Sequence, residues 1–410
     1  MNKNHNYYKF IFLIFIFLSG HNNVFTQAPN YTANTQMIPY SGPFQYGSNM
    51  GYYPGWTDGQ LGDLAKGNPA LNIPGIGATS LRPGLFEHYL EEFGYSVNIP
   101  WFQHYESLGL HDHTMFIGYP SPAHRDPTFY CANSQSTVFD NMYLPIWDGG
   151  ANGTPVNDDN YYALFLYKMV TEYQPYVKFW EIWNEPDLDF SPNGMGWRPA
   201  GDPMGSWWDS NPDPCDIQLA APIFYYNRLL RISYEVIKSI DPDAYVTVGG
   251  LGFPSFLDAI MRNTDNPVDG SVTADYPLKA GAYFDVLSFH SYPHINGSLI
   301  IWDPINGITG YQRHSDAAAK GITEDLNEFK AVMHNYGYEG NTYPEKQVIM
   351  TESSIPRKKF GDYIGSEEAA RNYAIKLPIE LQKEGVLNFY YYDLGEKEDF
   401  NNAAYPFQVT

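Results

Sequence analysis

The feature that most limits what this chain can become is an alternation. Short apolar runs rich in β-branched and aromatic residues are each followed by an amphipathic, helix-like run. The strand-like runs are 44–50 (FQYGSNM), 76–81 (IGATSL), 113–119 (HTMFIGY), 177–184 (VKFWEIWN), 245–251 (YVTVGGL), 284–292 (FDVLSFHSY), 347–352 (QVIMTE) and 388–394 (NFYYYDL). Helix-like segments occupy 85–93, 99–108, 158–173, 222–239, 256–262, 324–336 and 366–384. A strand joined to the next through a helix must run parallel to it, and a sheet covered on both faces needs apolar residues on both. Eight such units predict an α/β fold, a closed (β/α)8 TIM barrel over 29–410. Asp158 is a candidate N-cap for the third helical segment, and Asp241-Pro242 reads as the stop of the fourth. No repeat of fixed period is visible in the residues themselves.

Two stretches depart from a minimal barrel. Residues 188–219 form a connection rich in Gly, Pro and Trp (Trp197, Trp207, Trp208), and loops of this length are usually functional. A second long connection covers 294–317. After the last strand only 395–410 remain, barely enough for one closing helix, so either a short tail replaces the last helix or the sequence is a fragment, the second being the expectation. Residues 148–159 (DGGANGTPVNDD) have the outline of a calcium loop but no oxygen ligand at the third position, and are read as a surface loop. The two cysteines, Cys131 and Cys215, are compatible with a disulfide without requiring one, and no Cys/His spacing of the zinc type occurs.

Residues 1–28 read as an export signal: Lys3 and Lys9 precede the apolar run FIFLIFIFL at 10–18, and a polar stretch follows. That run is about half the length needed to span a bilayer. Cleavage is expected near Thr26–Ala28, an uncleaved anchor being the alternative, which leaves a secreted or periplasmic protein. A net charge of −22 argues against nucleic acid and anionic membrane surfaces as partners. Aromatic residues make up 17% of the chain, which suits both a large core and surfaces that stack on the C–H face of a sugar ring.

The run Phe179–Asp187 ends the fourth strand on Asn184-Glu185, and Pro186 forbids its continuation. On the same count Glu352 closes the seventh strand. Strands four and seven face one another across a barrel mouth, the end where barrel enzymes carry their active sites. Two carboxyl groups there suffice for glycosidic hydrolysis: one protonates the leaving oxygen, the other attacks the anomeric carbon or activates water. Glu181 lies on the same face as Glu185 but about 13 Å deeper, and is expected to be buried and paired.

The segment Trp180-Glu181-Ile182-Trp183-Asn184-Glu185-Pro186-Asp187-Leu188 resembles the fourth-strand signature of clan A retaining glycoside hydrolases, and is most similar to family 39. Phe284–Tyr292 is similar to that group's sixth strand and Val348–Ser353 to its nucleophile strand, so the resemblance covers roughly 75–395. It implies Glu185 as general acid/base and Glu352 as nucleophile. It further implies that Asn184 bonds the sugar 2-hydroxyl, that Tyr292 donates to the nucleophile, that His290 lines the subsite and that Arg82 keeps the nucleophile ionised. A structural amide, a core histidine and a surface arginine are the plainer readings of Asn184, His290 and Arg82. Trp183 joins the substrate-binding set. The eighth strand lacks the group's usual Trp; Tyr392, or a loop Trp such as Trp207 or Trp208, is expected in its place. The acid, close to the nucleophile's charge, is expected to have a raised pKa.

The function implied is a retaining glycosidase acting on a plant or algal poly- or oligosaccharide, with no metal or organic cofactor. A carbohydrate-binding protein on a decayed barrel and a transglycosylase with the same residues are the alternatives.

Overall fold

The computed structural model describes residues 28–51, 55–311, 314–359 and 365–394. The expected export signal, apart from Ala28, and the tail 395–410 with the last-helix question lie outside the described residues.

Nine parallel strands form the sheet: β1 (Gln45–Asn49), β2 (Ser80–Arg82), β3 (Gly84–Phe86), β4 (His113–Gly118), β5 (Val177–Ile182), β6 (Tyr245–Val248), β7 (Val286–His290), β10 (Gln347–Ser353) and β11 (Asn388–Tyr391). The remaining two, β8 (Ile300–Asp303) and β9 (Ile308–Tyr311), make a separate antiparallel hairpin. Sheet order is β2-β1-β11-β10-β7-β6-β5-β4-β3. β2 and β3 are one barrel position divided at Pro83, which has no N–H to give to a ladder. β2 pairs with β1 and β3 with β4, while Phe116 N donates to Pro83 O across the break. The sheet therefore closes on itself with eight positions, the arrangement expected of an elaborated (β/α)8 barrel.

Around it lie α1 (Asp58–Lys66), α2 (Glu87–Phe93), α3 (Ile99–Leu108), α4 (Tyr161–Tyr173), α5 (Ile223–Ile240), α6 (Pro254–Arg262), α7 (Ser315–Asn335) and α8 (Glu367–Lys383). Along β5 the side chains alternate: Phe179 joins Tyr245, Val286 and Ile349 in a small buried cluster, whereas Trp180 packs in the main core. That is why the run is apolar on both faces. Tyr40 packs against the same small cluster. No described helix is long and apolar enough to cross a membrane.

Several expected boundaries move. The second strand lies at 80–86 rather than 76–81, because its pairing straddles Pro83. α7 begins at Ser315, where His314 caps Ala317 N, and not near residue 324. The hairpin β8–β9 occupies what had been read as plain loop. Asn160, not Asp158, caps α4 by accepting from Ala163 N; Asp158 instead accepts from Thr154 Oγ1. Asp148 folds its own loop, Oδ1 accepting from Gly150 N and Ala151 N. Cys131 and Cys215 are bonded to each other, tying the loop after β4 to the loop after β5.

Candidate active site

Six strand ends deliver the site. β1 supplies Asn49, β2 Arg82, β5 the run Trp183-Asn184-Glu185, β7 His290 and Tyr292, β10 Thr351 and Glu352, and β11 Tyr392. Strict alternation would send one of Thr351 and Glu352 away from the barrel axis. A register shift in β10 between Met350 and Glu352, against β7, lets both point inward.

Arg82 is the hub. It is buried, and four of its five N–H groups are engaged: Nε donates to Glu181 Oε2 (2.6 Å), Nη1 to Asn49 Oδ1 (2.7 Å) and Glu352 Oε1 (2.6 Å), and Nη2 to Asn184 Oδ1 (2.7 Å). Glu181 is wholly buried and its other oxygen accepts from Ser288 Oγ and Thr351 Oγ1, so it is paired as expected. Asn49, which the sequence reading passed over, anchors itself by donating to Thr351 O. Because Asn184 receives Arg82 on its oxygen, its amide nitrogen is the end left for a ligand. Tyr292 OH donates to Glu352 Oε2 at 2.7 Å.

His290 stands between the two carboxylates. Its Nδ1 is 2.9 Å from Glu185 Oε1 and 3.7 Å from Glu352 Oε2, and its Nε2 is 2.9 Å from Thr351 Oγ1. The Thr351 hydroxyl has a single hydrogen, directed at Glu181, and so must accept from His290 Nε2. With Nδ1 facing a carboxylate, both ring nitrogens donate, which describes an imidazolium. Burial works against that charge, but Glu352 and Glu185 outweigh it and the His290 pKa rises. Glu185 moves the other way. Burial alone would raise it, yet the bond to His290, the charge of His290 and Arg82 bring it below the ordinary carboxylate value. This corrects the expectation of a raised acid: His290 and Arg82 together outweigh burial and the Glu181 charge.

The two carboxylates and His290 each place one ligating atom within 4.8 Å of the others. They could in outline gather a cation, but the guanidinium and Tyr292 already occupy the two oxygens of Glu352, and His290 offers two donors. A cation there would meet positive charge rather than open lone pairs, so the donor set does not suit a metal. The Glu352 side chain is 10% exposed and that of Glu185 28%, which leaves Glu185 the more open of the two.

Other sequence-derived residues land less simply. Trp183 is fully buried, its ring 4.8 Å from that of Tyr119, so it offers no exposed surface to a ligand. Tyr119, at the end of β4 and unmarked in the sequence, is pushed up to about 12 by burial and by the Glu185 and Glu352 charges. Tyr392 meets Tyr292 edge to face at 6.2 Å. Trp207 does not reach the site: it is buried against Phe253 and Phe256. Trp208 does, sharing with Trp197 the wall of a cavity beside Glu185. Gln218, with its amide nitrogen turned to the strand end, donates to Asn184 O (2.8 Å) and Glu185 O (2.6 Å). No sequence signal marked it.

The acid's own backbone is strained. Trp183 and Glu185 have φ of 74° and 46°, in the region that side chains avoid. Glu185 N donates to Gly249 O, and Tyr226 OH, held by Gly249 N, donates to Ile182 O. Asp187 closes the turn by accepting from Gly252 N and Phe253 N, and burial raises its carboxyl to about 7.

No family model matches the chain, and no curated protein matches it in sequence. Among solved structures, a glucosidase from Croceicoccus marinus aligns over 93% of this chain and 64% of its own, at 12% identity and a TM-score of 0.47. A β-D-glucuronidase from Dictyoglomus thermophilum aligns over 93% and 50%, at 12% identity and 0.41. An endoglucanase from Pseudomonas stutzeri aligns over 89% of both chains, at 12% identity and 0.44. The chain thus spans only part of the first two. At these values the likenesses add nothing to what strand order and site geometry establish; the neighbours themselves are glycoside hydrolases.

Proposed function

We propose that this protein is a retaining glycoside hydrolase, with Glu185 as general acid/base and Glu352 as nucleophile. The observation that carries the reading is the short separation of the two carboxylates, an oxygen of each lying within 4.8 Å of the other and of His290. Retaining glycosidases hold this pair about 5–5.5 Å apart, whereas inverting ones leave about 6.5–9.5 Å for a water. Arg82 and Tyr292 donate to the two oxygens of Glu352 and hold the carboxylate in place for attack. His290 Nδ1 lies 2.9 Å from Glu185 Oε1, within reach to pass a proton to the acid when a glycosidic oxygen arrives. Asn184 presents its amide nitrogen to the sugar 2-hydroxyl, a contact that strengthens in an oxocarbenium-like transition state.

Within clan A the likeness to family 39 rests on Trp180–Leu188 and the strand-end pair. Residues 1–28 support an exported enzyme, to which the Cys131–Cys215 bond is suited; the aromatic content suits stacking on sugar rings, and a plant or algal saccharide is the substrate we propose. The test is a screen of polysaccharides and aryl glycosides with NMR of the first anomer released. Retained configuration is expected; inverted product overturns the role of Glu352. Glu352→Ala abolishes turnover, while Glu185→Ala spares substrates with activated leaving groups.

A further inference from the structure

The cavity beside Glu185, of about 280 Å³, is not centred on the carboxylate pair. Glu185, His290 and Tyr292 line it, but Glu352, Arg82 and Asn184 do not. Its walls come from the loop after β5 (Trp197, Trp208), the loop after β6 (Phe253), the loop after β7 and α7 (Asp325, Glu328). In a double displacement the nucleophile takes the sugar whose anomeric carbon reacts, and the acid protonates the oxygen of the departing one. A cavity that touches the acid and not the nucleophile therefore lies on the departing side. Trp197 is 56% exposed and held edge to face against Phe253 at 4.8 Å, a rigid aromatic surface for a sugar C–H face.

Apart from His290, which is paired with Glu185, the charged side chains of this cavity are acidic. Among the described residues, no Lys or Arg lines it. Asp325 and Glu328 stand one turn apart on α7, and neither forms an ion pair among the described residues. Asp325 Oδ2 accepts from Ser291 and Asn296, which fixes the carboxylate. Burial pushes both carboxyls up, as expected for acids without a counter-charge. Asp189, the remaining acid of the lining besides Glu185, is already spent on the loop, accepting from Ser191 N and Gly196 N.

We propose that this cavity is the leaving-group subsite and that Asp325 and Glu328 make it select a neutral or amino sugar and reject one bearing a carboxylate or sulfate. This rests on the roles assigned to Glu185 and Glu352. The subsite is read out by glycosyl transfer, because the acceptor occupies the place of the leaving group. The acceptor oxygen attacks the anomeric carbon of the glycosyl-Glu352 ester, the bond to Glu352 breaks, and the acceptor's proton passes to Glu185.

The experiment supplies an aryl glycoside donor, found by the screen above, with methyl β-glucoside, methyl β-glucosaminide or methyl β-glucuronide as acceptor. Transfer to the glucoside and the glucosaminide is expected to exceed transfer to the glucuronide by about tenfold, from like-charge repulsion in a partly desolvated cavity. In Asp325→Asn/Glu328→Gln the ratio measured within the variant is expected to fall below about threefold. Equal transfer to glucuronide and glucoside, or an unchanged ratio in the variant, overturns the proposal. Ligand-observed NMR of the same three methyl glycosides needs no turnover and gives the same ranking. If no donor is turned over, the assignment of Glu185 and Glu352 fails, and the NMR ranking still decides the selectivity.

Discussion

Replacing Arg82 by lysine keeps the charge and removes the fork, which isolates what the guanidinium geometry contributes. Arg82 makes four short bonds from three nitrogens, two to carboxylates and two to amide oxygens. A lysine ammonium is a single point with three donors. It can stand near Glu181 or near Glu352 and Asn184, but it cannot span from one group to the other. The variant should lose at least one carboxylate bond and one amide bond. Bonds involving a charged group are worth about 1.5–3 kcal/mol each, and breaking a buried pair costs about 3–5 kcal/mol. Equilibrium urea unfolding at pH 7 should therefore show a loss of about 3–5 kcal/mol, with little change across salt concentrations that screen surface pairs. Asn184, no longer held by its oxygen, is free to turn, and Glu352 loses a donor, so kcat/KM on an aryl glycoside should drop at least about 100-fold, or ~2.7 kcal/mol. A lysine variant within about 1 kcal/mol of the parent in stability, and within threefold in kcat/KM, would refute the reasoning. It would mean that the positive charge alone organises the site.

Three further outcomes follow from the same geometry. The Glu185–His290 pair titrates as a unit, and the last proton leaves the pair no more easily than it would leave Glu185 beside a neutral partner. In His290→Gln the basic limb of kcat/KM should therefore move to lower pH; a limb that moves upward contradicts the shared proton. Asp187, raised to about 7 in the fold, binds a proton that the unfolded chain has already released above the ordinary aspartate range. Its contribution is fully present at low pH and is lost as pH rises towards 7. Urea midpoints at pH 5 and pH 8 should differ less in Asp187→Asn than in the parent, whereas parallel behaviour counts against a protonated carboxyl. Removing the disulfide with Cys131→Ser/Cys215→Ser opens a loop spanning 84 residues. Closure entropy for that length is about 4.5 kcal/mol, and measured losses are usually about 2–4 kcal/mol. The double variant should unfold at correspondingly lower urea, and unchanged stability would show that the bond constrains nothing.

What could be read from the residues was whatever depends on local pattern. The runs from β4 onward are apolar on both faces and end on polar residues, so both their number and the placement of Asn184, Glu185 and Glu352 at strand ends were visible. α1 was not, because two of the positions it buries are glycines, which interrupt the apolar stripe of Leu61 and Ala65. A Cβ on Gly59 would come within 2.9 Å of Trp101, and one on Gly62 within 2.6 Å of Tyr105. The hairpin β8–β9 was hidden for the opposite reason, since Ile300, Ile301 and Trp302 are exposed and form no buried pattern. Within the site, Asn49, Tyr119 and Gln218 act through partners distant in sequence, and no local spacing announces such contacts. The Glu185 pKa failed as an expectation on the same ground. Glu352 was counted as its neighbour, whereas the nearer group is His290.

The strained acid explains why so much of the molecule is spent on one strand end. Residues at positive φ such as Trp183 and Glu185 cost about 1–3 kcal/mol each, and they persist only where the surroundings over-determine them. Here three independent elements do so. Gly249, at the end of β6, accepts from Glu185 N. Tyr226 of α5 ties Ile182 to the same glycine. Gln218 holds both carbonyls from the far side, and its segment is fastened by Thr137 Oγ1 donating to Leu219 O at 2.7 Å and by the Cys131–Cys215 bond. The disulfide therefore lies on the path that positions the acid, although it is remote from the chemistry. Gln218→Ala should separate this role from bulk stability. Its loss frees two carbonyls at a partly open strand end, so unfolding should change by no more than about 1–2 kcal/mol. Glu185, released from its strained conformer, should protonate leaving groups less well. Hydrolysis of poor leaving groups should fall at least about tenfold, while aryl glycosides with good leaving groups, which need little acid assistance, should fall much less. Equal losses on both classes of substrate would place Gln218 in the stability of the loop and not in the orientation of Glu185.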